Sequence, residues 1–255
     1  MLAKLLRKLR KKDKGEDARE GMNFLDHLEE LRGRLIKSVV AVFVFSVPCF
    51  VFWRKILSVL MEYPIHRANP KPHLIFTAPA EAALLSMKIA LVGGFIISIP
   101  FVFYQVWTFI SPGLYGKEKK IVLPVVFASS FCFFVGLAFA YYTLPFLLMV
   151  LTRFGNGVIE PYFKASEYIS FLIKMGLAFG IIFEMPVLSW FLTRMGLLTP
   201  KFLVDKLRHA VVAIFIVAAI ITPPDVVSQF FLAVPLLVIY GISILVSYLS
   251  WERPK

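Results

Sequence analysis

Apolar and polar positions in this chain separate into long blocks. Four stretches, Leu35–Trp53, Ala82–Ile110, Ile121–Leu151 and Tyr168–Met195, are apolar with few charges. Each approaches or exceeds the roughly 20 residues needed to cross a hydrocarbon core about 30 Å thick. The last third, "RHAVVAIFIVAAIITPPDVVSQFFLAVPLLVIYGISILVSYLSW", is apolar throughout but broken by Pro223, Pro224 and Asp225. Consecutive prolines cannot continue a helix interior, and before an aspartate they read as a tight turn. The pattern therefore predicts two antiparallel spans there, Ala210–Thr222 and Val226–Tyr248, and six in all.

The spans differ in length. The fifth has an uncharged core of about a dozen residues, which reaches only about 18 Å at 1.5 Å per residue. Such a helix thins the bilayer locally or shelters against its neighbours. The third is too long by the same arithmetic, so it tilts, kinks at Pro124 or Pro145, or projects beyond the membrane. The expected fold is all-α and membrane-embedded: six transmembrane helices with two short final spans. The loop after span one, holding Pro64, Pro70, Pro72 and Pro79, is expected to form an ordered outer cap.

Composition agrees. Of 255 residues 59% are hydrophobic, 26 are Phe and only 17% are charged, whereas soluble domains are about 45–50% apolar and about 25% charged. The net charge of +12 could suggest nucleic acid, but the positive residues sit in short segments between apolar runs. Segments 1–34, 112–120, 194–208 and 252–255 hold 19 Lys and Arg, against six in 54–81 and 152–167. Cytoplasmic loops carry the excess of Lys and Arg, so both termini are expected to be cytoplasmic and no nucleic acid is expected as a partner. Cys49 and Cys132 lie inside apolar runs and read as small hydrophobes. The opening "MLAKLLRKLRKKDKGEDAREG" has no apolar core or cleavage site of a signal peptide. Leu2, Leu5, Leu6 and Leu9 share one helical face, which suits a helix on a lipid surface or a disordered basic extension. The expected layout is a basic extension (1–21), a six-span domain (22–250) and a short cytoplasmic tail (251–255).

Candidate chemistry lies in four places. In "MNFLDHLEELRGRLIKS", Phe24, Leu25, Leu28, Leu31 and Leu35 recur at helical spacing, and Glu30 projects away from that stripe one turn before Arg34. It is either an ordinary i,i+4 partner of Arg34 or a carboxylate held to receive a cation. In "YQVWTFISPGLYGKEKK", Glu118 stands among lysines, as a solvated charge or as a second such carboxylate. Glu184, in "FGIIFEMPVLSW", has no charged neighbour within nine residues on either side. A mid-span acid is costly, by roughly 2.5–3.5 kcal/mol for Asp-like charges on insertion scales. It is protonated, paired with a neighbouring helix, or receives a polar group from another protein. Ser228 and Gln229 follow Asp225 as a further polar patch. No HExxH, activated nucleophile or glycine-rich phosphate loop is present, and the four histidines lack metal-ligand spacing. An enzyme, a cofactor and a bound metal are therefore not expected.

Taken in order, "HLEELRGRL", "YQVWTFISPGLYGKEKK", "FGIIFEMPV" and "TPPDVVSQ" resemble the TatC family, the core integral subunit of the twin-arginine protein translocase. The resemblance covers about residues 22–250. It implies a receptor and scaffold of the bacterial cytoplasmic membrane for folded cargo whose signal peptides carry an Arg pair, driven by the proton motive force. By that resemblance Glu30 and Glu118 contact the signal peptide, with Arg32 and Phe109 on the same cytoplasmic surface. Glu184 faces the single-span TatA or TatB partner, and Thr222 and Gln229 form a second contact region for it. Lipid and other copies of the chain are further expected partners. Ala82 departs from the family pattern, which commonly has proline there, and leaves the start of span two open. The alternative from another class is a proton-coupled small-solute transporter with Glu184 as its proton site; it would need a helix-repeat symmetry, and no internal repeat is visible.

Overall fold

The computed structural model describes residues 2–68, 73–110, 122–153, 162–222 and 225–251, with side chains from residue 27 onward. Its helices are α1 (Leu2–Val51), α2 (Trp53–Arg67), α3 (Glu81–Ile110), α4 (Val122–Arg153), α5 (Ala165–Ile182), α6 (Met185–Arg194), α7 (Pro200–Asp205), α8 (Leu207–Ile221) and α9 (Val226–Ser250). Two short strands, β1 (His73–Ile75) and β2 (Tyr162–Lys164), pair in parallel. Five stretches are long and apolar enough to cross a membrane: His27–Val51, Glu81–Ile110, Val122–Thr152, Ala165–Arg194 and Val226–Ser250. The fourth of these is α5 and α6 together. Helix α8, with 15 residues, is apolar but shorter.

The expectation of two short final spans holds for α8 and fails for α9, which runs 25 residues with Pro235 inside it. A single proline removes one hydrogen bond, and in a bundle its neighbours hold the helix through the break. Span two starts at Glu81, so Ala82 in place of proline does not shift it. The Pro223–Pro224 turn lies outside the described residues.

Lipid tails are as apolar as leucine, so these helices associate by close approach and by interhelical hydrogen bonds. Small residues supply the approach. A Cβ on Gly94 would collide with the backbone of Ser46, where α3 crosses α1. A Cβ on Gly136 of α4 would stand 2.6 Å from the Phe179 carbonyl oxygen of α5. The Phe133 ring fills the space over Gly180 in the same way. Polar bonds join α6 to α9: Ser189 Oγ donates to the Ser243 carbonyl at 2.7 Å, and the Thr193 and Ser247 hydroxyls meet at 2.7 Å. Helix α6 ends on Gly196, whose φ of 73° lets the Leu197 N–H turn back to the Leu192 carbonyl.

The end of the bundle that carries α2 is tied by the chain itself. Tyr141 and Tyr168 hydroxyls donate to the carbonyls of Val59 and Leu60 at 2.6 and 3.2 Å, fixing α2 to α4 and α5. The β1–β2 pair then joins the loop before α3 to the loop before α5, in the register His73 to Tyr162 through Ile75 to Lys164. Glu81, 5% exposed, locks this corner. Its Oε2 accepts from the Thr77 N–H at 2.8 Å and the Thr77 hydroxyl at 3.1 Å. Its Oε1 accepts from the Ser166 N–H at 3.0 Å, in the first turn of α5, where a carboxylate also meets the positive end of the helix dipole. The described parts of the proline-rich loop are thus a helix and a strand.

Replacing Gly136 by Ala should destabilise the purified protein by about 1–3 kcal/mol through overpacking against the α5 backbone. Gly241→Ala, at a helical position with open space around it, should hold or gain stability, since Ala is the better helix former. Thermal unfolding in one detergent decides: equal melting temperatures for the two variants would refute the close-approach account.

Candidate functional site

The end of the bundle opposite the β1–β2 corner brings the start of the apolar part of α1 against the end of α3. Arg34, on α1, places Nε and Nη2 at 2.9 and 2.6 Å from Glu30 Oε1, one turn earlier on the same helix. Its third nitrogen, Nη1, reaches Gln105 Oε1 on α3 at 3.4 Å. Gln105 is buried, and it is the only amide in α3. The other carboxylate oxygen, Glu30 Oε2, is 3.9 Å from His27 Nδ1. The His27 ring stacks on Phe109 of α3, with centroids 4.3 Å apart and planes 11° from parallel. One carboxylate is thus ringed by a guanidinium, an imidazole and, through Arg34, an amide.

Of the residues expected at this surface, the structure brings Glu30 and Phe109 into one cluster, joined through His27. Arg32 is exposed beside them on α1. Glu118 lies outside the described residues. His27 and Gln105 escaped the sequence reading. His27 stands three residues before Glu30 and could have been found by that spacing. Its stacking on a ring 82 positions away could not. Half-exposure suits the cluster to an ionic partner, because Glu30 keeps 36% of its side-chain surface accessible while Arg34 keeps 20%.

Glu184 sits at the junction of α5 and α6. The helix breaks there because Pro186, in the first turn of α6, has no N–H for the Ile182 carbonyl. Glu184 takes a tighter bond to Ile181 at 3.1 Å and hands its own carbonyl to Leu188 at 2.9 Å. Its side chain is 7% exposed and turns toward α4, beside Ser129, Cys132 and Phe133. Ser129 Oγ accepts from the Trp107 indole N–H at 3.1 Å, which leaves its own hydroxyl hydrogen for the Glu184 side. Glu184 Oε1 is buried with no hydrogen-bond partner among the described residues. Of the readings open for this acid, pairing with a neighbouring helix accounts for one side of the carboxyl only.

Thr222 and Gln229 lie at the α8–α9 corner and are already bonded within the chain. The Thr222 hydroxyl donates to the Ala218 carbonyl at 2.8 Å, and Gln229 Nε2 donates to the Phe215 carbonyl at 3.0 Å. Asp225 caps α9 through Oδ2 and the Ser228 N–H at 2.7 Å, while its Oδ1 and the Ser228 hydroxyl are buried with no partner among the described residues. Among the described residues no cluster of three or more His, Cys, Asp and Glu could hold a metal ion.

Comparison with known proteins places this geometry in context. Residues 26–235 match the family model described as "Sec-independent protein translocase protein (TatC)". The chain is 44% identical over 230 residues to the Sec-independent protein translocase protein TatC of Helicobacter pylori (strain ATCC 700392 / 26695), covering 90% of this chain and 88% of that one. It is 39% identical over 237 residues to the protein of the same description from Aquifex aeolicus (strain VF5), covering 92% and 98%. A crystal structure of the twin arginine translocase receptor TatC superposes with a TM-score of 0.80 at 39% identity, over 88% of this chain and 99% of that one.

A buried polar atom without a partner costs about 1–3 kcal/mol. Glu184→Met, which keeps volume and drops the carboxyl, should therefore raise the melting temperature of the isolated protein by a few degrees. A lower melting temperature would mean that the contacts on the Ser129 side outweigh the unpartnered oxygen.

Proposed function

The chain belongs to the TatC family of Sec-independent protein translocase proteins, and on that premise we propose that it is the membrane receptor and scaffold of a twin-arginine export complex. It binds the Arg-Arg signal peptides of folded cargo at its cytoplasmic face and recruits single-span TatA or TatB subunits. The proton motive force drives the passage. The family is one of translocase components rather than of catalytic enzymes. In this reading the five long stretches and α8 make six spans of the bacterial cytoplasmic membrane. Both termini are cytoplasmic, in keeping with the bias of Lys and Arg. Residues 1–21 form the basic extension, 22–250 the membrane domain and 251–255 the tail. The complex contains further copies of the chain, set in lipid.

The observation that carries this reading is the half-exposed Glu30 carboxylate, held against α3 by Arg34 and Gln105 at the end of the bundle opposite the β1–β2 corner. An incoming guanidinium forms two parallel charge-assisted bonds with a carboxylate, which a lysine ammonium cannot reproduce. Arg32 and Phe109 border that point, and Glu118 supplies the second carboxylate for the second arginine. Glu184 supports the recruitment half. Its unpartnered Oε1 is an acceptor inside the membrane, suited to a polar side chain from a partner helix. Thr222 and Gln229 guide the same class of helix at the α8–α9 corner.

A labelled signal peptide carrying Arg-Arg should bind the purified protein more tightly than its Lys-Lys counterpart. Glu30→Gln and Glu118→Gln should each weaken Arg-Arg binding by roughly tenfold or more, as expected for loss of a charge-assisted pair worth about 1.5–3 kcal/mol. Equal affinity of both peptides for wild type and both variants would overturn the site. For recruitment, Glu184→Gln should leave peptide binding unchanged and reduce cross-linking between α5–α6 and a single-span partner in membranes. Undiminished cross-linking would remove Glu184 from that role.

A further inference from the structure

One oxygen of the Glu30 carboxylate is already taken in this structure, while Oε2 has, among the described residues, only His27 Nδ1 near it, at 3.9 Å. Arg34 sets two nitrogens on Oε1, at 2.9 and 2.6 Å, and is itself four-fifths shielded. A signal-peptide arginine aimed at Glu30 meets a site that already holds a guanidinium. The same Arg34 side chain touches a second acceptor, because Nη1 lies 3.4 Å from Gln105 Oε1 on the neighbouring helix. Gln105 is 7% exposed, so that acceptor is offered from inside the bundle.

We propose that Arg34 is a resident competitor for the peptide's guanidinium: it occupies Glu30 at rest, yields it to an incoming arginine, and is retained by Gln105 when displaced. This rests on the reading of Glu30 as a peptide contact. The physical case is an exchange of like for like. The incoming arginine makes with Glu30 the bonds that Arg34 gives up, and Arg34 keeps an acceptor in Gln105. Without that acceptor a largely shielded cation would be left unpaired, which is strongly unfavourable. The exchange makes net affinity small for any single cation, so binding depends on what the rest of the peptide adds. A resident guanidinium therefore sets a threshold that weak or partial cationic segments do not pass. Because it competes equally with every incoming cation, it lowers all affinities by one factor and leaves the Arg-to-Lys preference to Glu30 itself. The i,i+4 spacing explains why the pair forms on α1; it does not explain the third bond across to α3.

The test is equilibrium binding of the Arg-Arg and Lys-Lys peptides to the full chain in detergent, with thermal unfolding run on each variant. Arg34→Gln should tighten both peptides by the same factor, about two- to fivefold, the worth of a partly exposed ion pair. Arg34→Lys keeps the net charge but loses the fork, and should also tighten both, by less. Lys37→Gln, an exposed charge one turn further on, should give a smaller change than Arg34→Lys, which separates displacement from general repulsion. Gln105→Leu should weaken both peptides in the wild-type chain and have no effect once Arg34 is Gln. The contrary result is clear: if both Arg34 variants bind equally or more weakly while Glu30→Gln still abolishes the preference for arginine, Arg34 is a structural partner and the competitor is refuted. If Glu30→Gln binds as wild type does, the reading beneath it falls instead.

Discussion

A bilayer core contains no water, and the rest of this structure follows from that. Every backbone N–H and C=O carried into it must be bonded within the chain, so the spans are helices, and any side-chain polar group taken along needs a partner from another helix. The same absence removes the usual reason for helices to come together, since leucine is as comfortable in lipid as in protein. What holds the bundle is close approach at Gly94, Gly136 and Gly180 and a short series of hydroxyl bonds from Ser189, Thr193 and Tyr240. The exposed Phe, Val and Leu side chains along α1 and α4 are the faces such a bundle presents to lipid rather than a fault in it.

Three carboxylates show how strictly the constraint is applied and where it is relaxed. Glu81 is buried and fully engaged, by Thr77 on one side and Ser166 on the other, and its work is to close the corner between two loops. Glu30 lies at the opposite end, part-exposed, bonded to Arg34 through one oxygen and 3.9 Å from His27 through the other. Glu184 lies within a span at a helix break, with one oxygen unpartnered among the described residues. A chain that satisfies Glu81 so completely and leaves Glu184 open uses the two acids differently. The first stabilises a single chain, and the second is proposed to be completed by another.

Much of the fold was legible because the bilayer imposes a length and a composition that single residues cannot disguise. The boundaries of α3 and α4 fall within a residue or two of the apolar runs that announce them. The kink at Pro186 and the short α8 are equally visible, one from a missing N–H and the other from a count of residues. The last span was bounded at 226–248 and runs 226–250, so its ends were legible and only its description as short fails. Strands β1 and β2 had no signal: three residues each, they exist only because two distant loops are brought side by side.

The sequence by itself determined the number of apolar segments, the uneven spread of basic residues between them, and the identity of the lone acid in the fourth. Each of these is a local property, fixed by how many apolar residues run together and which side chains interrupt them. Only the tertiary structure decided which polar groups meet. That His27 stacks on Phe109, that Arg34 divides itself between Glu30 and Gln105, and that Glu81 holds Ser166 depend on helices far apart in the chain crossing at particular depths. Crossing depth is set by where small residues let backbones approach, which is a property of pairs of helices and is written in neither helix alone.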